Sequence, residues 1–175
     1  MTTLPLADWR DFYVTIGTAS GAIVGASFIV ATLASGRKER ILGLRGFITP
    51  TAVHLGSVLV GSAILTVPTL TSLSLAILLG TGGIGGTIYG LVVATRIWNM
   101  RLDLDDRVCY VILPILAYAA MAAAAVIERW AVTPALDTLA ASLVVILIIG
   151  MRNAWDMATF MITRDPDASG TGDPV

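Results

Sequence analysis

Apolar residues fill five long stretches of this chain, and each stretch is long enough to cross a bilayer as a helix. The hydrocarbon core of a bilayer is about 30 Å thick and needs about 20 apolar residues of α-helix. The stretches are residues 12–34, 47–69, 70–98, 108–127 and 134–162. They predict an all-α integral membrane bundle of five transmembrane helices, forming one domain over residues 1–164. A four-span alternative fuses the second and third stretches or lays one of them in the membrane interface.

Prolines mark the ends of these predicted helices. Pro68 separates the second and third stretches, because proline has no amide hydrogen and disfavours helix before it. Pro134 lies in the first turn of the fifth stretch, and Pro50 is expected to begin the second helix in a similar way. Pro114 is expected to kink the fourth helix. Residues 165–175 are rich in Gly, Asp and Pro, which predicts a disordered tail.

The composition agrees with a membrane protein and excludes several other classes. The chain of 175 residues is 56% hydrophobic and only 13% charged, whereas a soluble domain has about 25% charged residues. Basic patches interleaved with aromatic residues are absent from the sequence, so nucleic acid is not an expected partner. The one cysteine, Cys109, excludes an internal disulfide framework and a cysteine metal cluster.

The basic residues predict the orientation of the spans. Nine of the 11 Lys and Arg residues fall on one side of the predicted bundle, namely Arg37, Lys38, Arg40, Arg45, Arg96, Arg101, Arg107, Arg152 and Arg164. Because cytoplasmic loops carry the excess of positive charge, the N-terminus is expected outside and the C-terminus in the cytoplasm. Arginine greatly outnumbers lysine, which is typical of a GC-rich bacterial genome and favours a bacterial inner membrane.

Two of the predicted helices carry glycine at every fourth position. These glycine zippers are Gly17, Gly21 and Gly25 in the first span and Gly82, Gly86 and Gly90 in the third. Spacing of four places the glycines on one helix face, where small residues let two backbones approach closely. Two interpretations remain open. Either both glycine faces pack helices within one protomer, or at least one face forms an interface between subunits, which are then arranged around a pore in one version.

Ionisable residues inside spans are costly and suggest function. His54, the only histidine, lies in the second span, and histidine can change its charge near neutral pH. Arg152 and Asp156 are four residues apart in the fifth span and can pair on one helix face. With Arg96 and Asn153 they are expected to converge on a polar cluster that faces the cytoplasm. The alternatives are a neutral His54 bonded inside the bundle and charged side chains that extend to the interface.

Three short segments carry a resemblance to a known group of proteins. Residues 9–13 (WRDFY), 49–54 (TPTAVH) and 153–156 (NAWD) resemble those of a group of small bacterial multi-pass membrane proteins with no established activity. The resemblance extends over most of the chain. It implies the architecture of that group and no particular chemistry.

Catalytic motifs are absent from the sequence, including a nucleophile elbow, a zinc-protease motif, a phosphate-binding loop and a dinucleotide fingerprint. We therefore expect neither an enzyme nor a cofactor or metal site. The first expected function is a non-catalytic scaffold or accessory subunit that assembles through its glycine faces. The alternative is a small oligomeric ion channel or proton-linked transporter that uses the cluster around His54 and Asp156. The expected partners are the lipid bilayer and either further copies of the chain or another membrane protein.

Overall fold

A computed structural model describes residues 5–34, 38–97 and 104–163, and every regular element in these ranges is helical. A short 3₁₀ turn, Pro5–Ala7, precedes helix α1. The five main helices are α1 (Arg10–Ala34), α2 (Lys38–Leu65), α3 (Ser72–Ile97), α4 (Leu104–Arg107, Val108–Ile112 and Leu113–Ile127 in succession) and α5 (Val132–Thr163). The predicted tail, residues 165–175, and three of the basic residues, Arg37, Arg101 and Arg164, lie outside the described residues.

Four helices in the described part are long and apolar enough to cross a membrane. Their apolar segments are Arg10–Thr32, Ser72–Arg96, Val108–Ile127 and Val132–Thr159. The apolar part of α2 is shorter and covers Thr49–Leu65. The chain is therefore a multi-pass helical membrane protein.

Helix α2 differs from its predicted bounds. It begins at Lys38, more than two turns before the predicted start at Phe47, so Pro50 lies inside the helix and not in its first turn. Proline interrupts one backbone hydrogen bond of a helix. Membrane helices tolerate this where neighbouring helices stabilise them, and Pro50 is buried against the rest of the bundle. The expectation that Pro50 begins the helix was therefore wrong, because the helix already begins at Lys38.

The other proline positions agree with the helix boundaries. Pro68 lies in the turn between α2 and α3, and Pro134 lies in the first turn of α5. In α4, where a kink at Pro114 was expected, a π-helical turn covers Val108–Ile112, just before this proline. There the amide of Leu113 donates to the carbonyl of Val108, five residues earlier. A π turn adds one residue to the helical turn, so Pro114 enters the first turn of a new α-helical segment.

Consecutive helices in the bundle are antiparallel, and α5 has three helices as close neighbours. It packs against α1, α2 and α4, while α1 also packs on α2. Helix α3 packs closely on α4 and barely contacts α2. We call the end where α1 begins the N-terminal end of the bundle. Helices α1, α3 and α5 all finish at the opposite, C-terminal end, so the five helices alternate in direction.

The core is apolar, with a few polar contacts that join helices. Leu136, Leu139, Leu143 and Ile146 of α5 are almost completely buried. Around them, the Ser20 hydroxyl of α1 donates to the backbone carbonyl of Leu55 in α2 at 2.7 Å. At the N-terminal end, the hydroxyl of Ser72 donates to the carboxylate of Glu128, which links α3 to α4. Such bonds matter in lipid because no water is present to replace them.

Candidate functional site

The main polar site of the bundle is a chain of hydrogen bonds centred on His54. This side chain of α2 is only 2% exposed. Its Nδ1 atom lies 3.1 Å from the hydroxyl oxygen of Tyr118 in α4. The Tyr118 hydroxyl donates to Ser57 Oγ at 3.1 Å, and Ser57 Oγ donates to the carbonyl of Val53 at 2.8 Å. One polar chain therefore connects α2 to α4 through the middle of the bundle.

The direction of this chain fixes the position of the imidazole proton. Ser57 has one hydroxyl proton and gives it to Val53, so Ser57 accepts from Tyr118. Tyr118 then has no proton left for His54, and the imidazole must donate from Nδ1. In the neutral ring this leaves the lone pair on Nε2.

Two tyrosine rings surround the imidazole. The Tyr118 ring centre lies 5.7 Å from that of His54. The Tyr89 ring of α3 lies 6.4 Å away in an edge-to-face arrangement, with an angle of 80° between the planes. His54 thus connects α2 to both α3 and α4, although α2 and α3 have little contact as helices. Edge-to-face packing of this kind is favourable because ring edges are positive and ring faces negative.

Asn153 of α5 is the other buried polar residue of the predicted cluster. It is 1% exposed, and neither its amide nitrogen nor its amide oxygen has a hydrogen-bond partner among the described residues. Three residues earlier, Gly150 packs against the side chain of Leu55. Because α2 and α5 are antiparallel, Asn153 lies at the level of Thr51, one turn from His54 towards the C-terminal end.

A group of charged residues lies at the C-terminal end of the bundle and is partly exposed. Arg152 Nε lies 3.8 Å from Asp156 Oδ2, so the predicted pair on α5 is present. Arg152 Nη2 also lies 3.9 Å from Asp106 Oδ1 at the start of α4. Partly exposed ion pairs of this length contribute little to stability.

The five residues of the predicted polar cluster therefore lie at three places. His54 and Asn153 are buried within the bundle, and Arg152 and Asp156 belong to the charged group. Arg96 is exposed near the end of α3. None of the other four residues bonds to His54, whose described partner is Tyr118. Sequence reasoning did not connect Tyr118 to His54.

The glycines of α1 pack inside the protomer at one end only. A methyl group at Gly17 would lie 3.0 Å from Cβ of Ser62, and one at Gly21 would lie 3.6 Å from Cδ1 of Leu59. A methyl group at Gly25 would meet no atom within 4 Å. The predicted face is thus used against α2 near the N-terminal end and is open towards the other end.

The glycines of α3 pack on α4 along a face that differs from the predicted one by one residue. A methyl group at Gly83 would overlap the backbone of Ala122, and one at Gly86 would overlap the Tyr118 ring. At Gly90 it would lie 2.8 Å from Ile115 Cγ1. Gly82, the first residue of the predicted zipper, is exposed and only in ordinary contact with Met121. The close approach of α3 to α4 depends on Gly83, Gly86 and Gly90.

Sequence reasoning also missed Gly150 of α5. A methyl group there would lie 2.6 Å from Cδ2 of Leu55 in α2. Gly150 stands alone in its helix, so no spacing pattern marked it. In the described ranges there is also no group of three or more His, Cys, Asp or Glu residues that could hold a metal ion.

Three comparisons were made with known proteins, against family profiles, curated proteins and solved structures. None of them gives a match for this chain.

Proposed function

We propose that this protein is a non-catalytic scaffold or accessory subunit that associates with another membrane helix, in a second copy or in a different protein. The observation that carries this proposal is a set of outward glycines. Methyl groups at Gly25, Gly56 and Gly85 would meet no atom within 4 Å. Glycine weakens a helix by about 1 kcal/mol relative to alanine. In lipid, its compensating advantage is close contact with another helix.

The proposal includes five spans. The apolar part of α2 has 17 residues, which is at the lower limit of about 17–25 residues for a transmembrane helix. Antiparallel packing against both α1 and α5 supports α2 as a span and not as an interfacial helix.

The orientation in the proposal has the N-terminus outside and the C-terminus in the cytoplasm of a bacterial inner membrane. The alternating helices support it, because six of the eight basic residues in the described ranges lie in segments at the C-terminal end, namely Lys38, Arg40, Arg45, Arg96, Arg107 and Arg152. Positive charge is retained on the cytoplasmic side of membranes.

The test is the association of the purified protein in bilayers, measured by single-molecule photobleaching or energy transfer. Gly25→Leu and Gly85→Leu place a bulky side chain on the open faces and should weaken association by about tenfold or more, which corresponds to about 1.4 kcal/mol. Ala141→Leu is the matched control, because Ala141 is an exposed small residue on α5, whereas these glycines lie on α1 and α3. It should leave association unchanged.

Self-association of the wild type identifies a second copy as the partner, whereas a monomer that recovers another membrane protein from native membranes identifies a different partner. In the second case the same variants must lose that protein. If neither Gly25→Leu nor Gly85→Leu changes either form of association, the outward glycines have no role in assembly and the proposal is wrong.

A second function, a proton-linked transporter or channel, is favoured by one observation. Asn153 is buried and has no hydrogen-bond partner within the described ranges, in the half of the bundle that also contains His54 and the charged group. Such a side chain is suited to hold a water or ion in transit, and intramembrane polar residues often mark such pathways. The bonded state of His54 supports the non-catalytic function instead, since its chain of hydrogen bonds already terminates at the backbone of α2.

A further inference from the structure

A cleft of about 170 Å³ lies between α2 and α3, above a floor formed by α4 and α5. Its rim includes Val60 of α2 and Gly82 of α3, which are both exposed, so the cleft opens sideways towards the lipid. Met121 of α4 and Leu143 of α5 lie in the floor. The cleft exists because α3 packs on α4 and makes little contact with α2.

The volume of the cleft limits what it can hold. An apolar cavity of about 150 Å³ in another protein binds one benzene molecule. A cleft of similar size therefore fits a group the size of one ring and is far too small for a helix. The surrounding solvent is hydrocarbon, so an apolar molecule can reach the cleft from within the bilayer.

Ser57 and Tyr118 give the cleft a polar edge. They are part of its lining, and both have hydroxyl groups whose protons are already used, by Tyr118 towards Ser57 and by Ser57 towards Val53. Ser57 Oγ accepts one hydrogen bond and keeps a second lone pair. The polar edge thus offers an acceptor and no free donor.

We propose that this cleft binds a ring-sized apolar molecule with one hydroxyl group, such as an aromatic alcohol, taken up from the bilayer. The hydroxyl group of the ligand donates to Ser57 Oγ, and its ring lies against Met121 and Leu143. At this depth water is absent, so a hydroxyl group in lipid has no other partner. The bond to Ser57 then selects the alcohol over a hydrocarbon of the same shape.

The experiment uses two fluorinated probes, 4-fluorobenzyl alcohol and 4-fluorotoluene, with the protein in lipid nanodiscs. Saturable binding is measured by ¹⁹F NMR line broadening relative to empty nanodiscs of the same lipid. The alcohol should bind about fivefold more tightly than the toluene, the difference expected for one net hydrogen bond. Absence of saturable binding, or equal binding of the two probes, overturns the proposal.

Two glycine variants show where the probe binds. Gly82→Leu places a side chain in the mouth of the cleft, where only Met121 Sδ lies near, at 3.7 Å from an added Cβ, so the helix itself is not disturbed. This variant should abolish saturable binding. Gly85→Leu is the matched control, because Gly85 faces open space and lies outside the lining. It should bind the alcohol as the wild type does, whatever its effect on association with another helix. If the two variants bind the alcohol equally, the ligand does not occupy this cleft.

The hydroxyl selectivity has its own variant. Ser57→Ala removes the proposed acceptor. This variant should still bind the toluene, and it should bind the alcohol about equally tightly. A preference that survives Ser57→Ala would show that Ser57 is not the acceptor.

Discussion

Polar side chains buried in this bundle are of two kinds, those with a hydrogen-bond partner and those without. Ser20 and His54 are both bonded to another helix. Asn153 has no partner for either amide atom among the described residues. A buried polar group without a partner costs about 1–3 kcal/mol. The first group therefore stabilises the bundle, and Asn153 weakens it unless it serves a function.

Replacing Asn153 separates the two proposed functions. In a non-catalytic subunit, Asn153→Leu removes an unbonded amide and should raise the free energy of unfolding in micelles by about 1 kcal/mol. Sealed liposomes with wild-type protein should then carry no proton flux above empty liposomes under a pH gradient.

Ser20→Ala provides the comparison, because it removes a hydroxyl that does have a partner, the Leu55 carbonyl. It should lower the free energy of unfolding by about 0.6 kcal/mol, the average for hydrogen bonds between membrane helices. A wild-type proton flux that Asn153→Leu abolishes would contradict the non-catalytic function and support the transporter.

At the scale of single residues, the sequence predicted part of the candidate site. The i, i+4 spacing of Arg152 and Asp156 predicted their pairing, which the structure contains. The partner of His54 could not be predicted, since Tyr118 lies 64 residues away and no pattern shows which helices are neighbours. Arg152 and Asn153 were placed in one cluster, although adjacent helix residues point about 100° apart and face different surroundings.

Among the helices, glycine spacing predicted close packing but not the face that is used. Glycines four apart, Gly82, Gly86 and Gly90, formed the expected stripe on α3, whereas Gly83 replaces Gly82 in the contact with α4. A turn of 3.6 residues allows both a spacing of three and a spacing of four along one face. With six glycines between residues 80 and 90, only the position of α4 decides which of them are buried.

The packing of α3 on α4 predicts opposite effects for two alanine substitutions in the same helix. Gly83→Ala places a methyl group 2.7 Å from the backbone Cα of Ala122, and a backbone cannot move aside cheaply. The variant should lose about 1–3 kcal/mol of unfolding free energy. Gly85→Ala enters open space and should gain up to about 1 kcal/mol because alanine favours the helix.

Thermal unfolding of the wild type and both variants in one detergent measures the two changes in stability. Equal effects of Gly83→Ala and Gly85→Ala would show that α3 does not approach α4 as described. A stabilising effect of both would indicate that the two helices can separate without cost.

In the whole molecule, the number and alternation of the helices followed from the sequence, and their neighbours did not. Apolar length and the prolines predicted five helices in nearly the observed positions, except at the start of α2. The central place of α5 and the isolation of α3 on α4 depend on side-chain fit, for example Gly150 against Leu55. No periodicity along one segment contains that information.

The orientation depends on charge, and charge acts on the whole molecule. Among the described residues, six of the eight Lys and Arg belong to segments at the C-terminal end of the bundle, the end that also has the charged group of Arg152, Asp106 and Asp156. Five alternating helices place the two termini of the bundle on opposite sides of the membrane, whereas four spans place them on the same side. The proposal of five spans can therefore be tested without knowledge of any partner.

The most direct test is labelling of single cysteines at the two ends of the chain. In a Cys109→Ser background, Thr2→Cys and Asp173→Cys are treated with a membrane-impermeant maleimide, first in intact cells and then after permeabilisation. We expect Thr2→Cys to react in intact cells and Asp173→Cys to react only after permeabilisation. Reaction of both cysteines under the same condition would contradict five spans, and the reverse pattern would contradict the orientation.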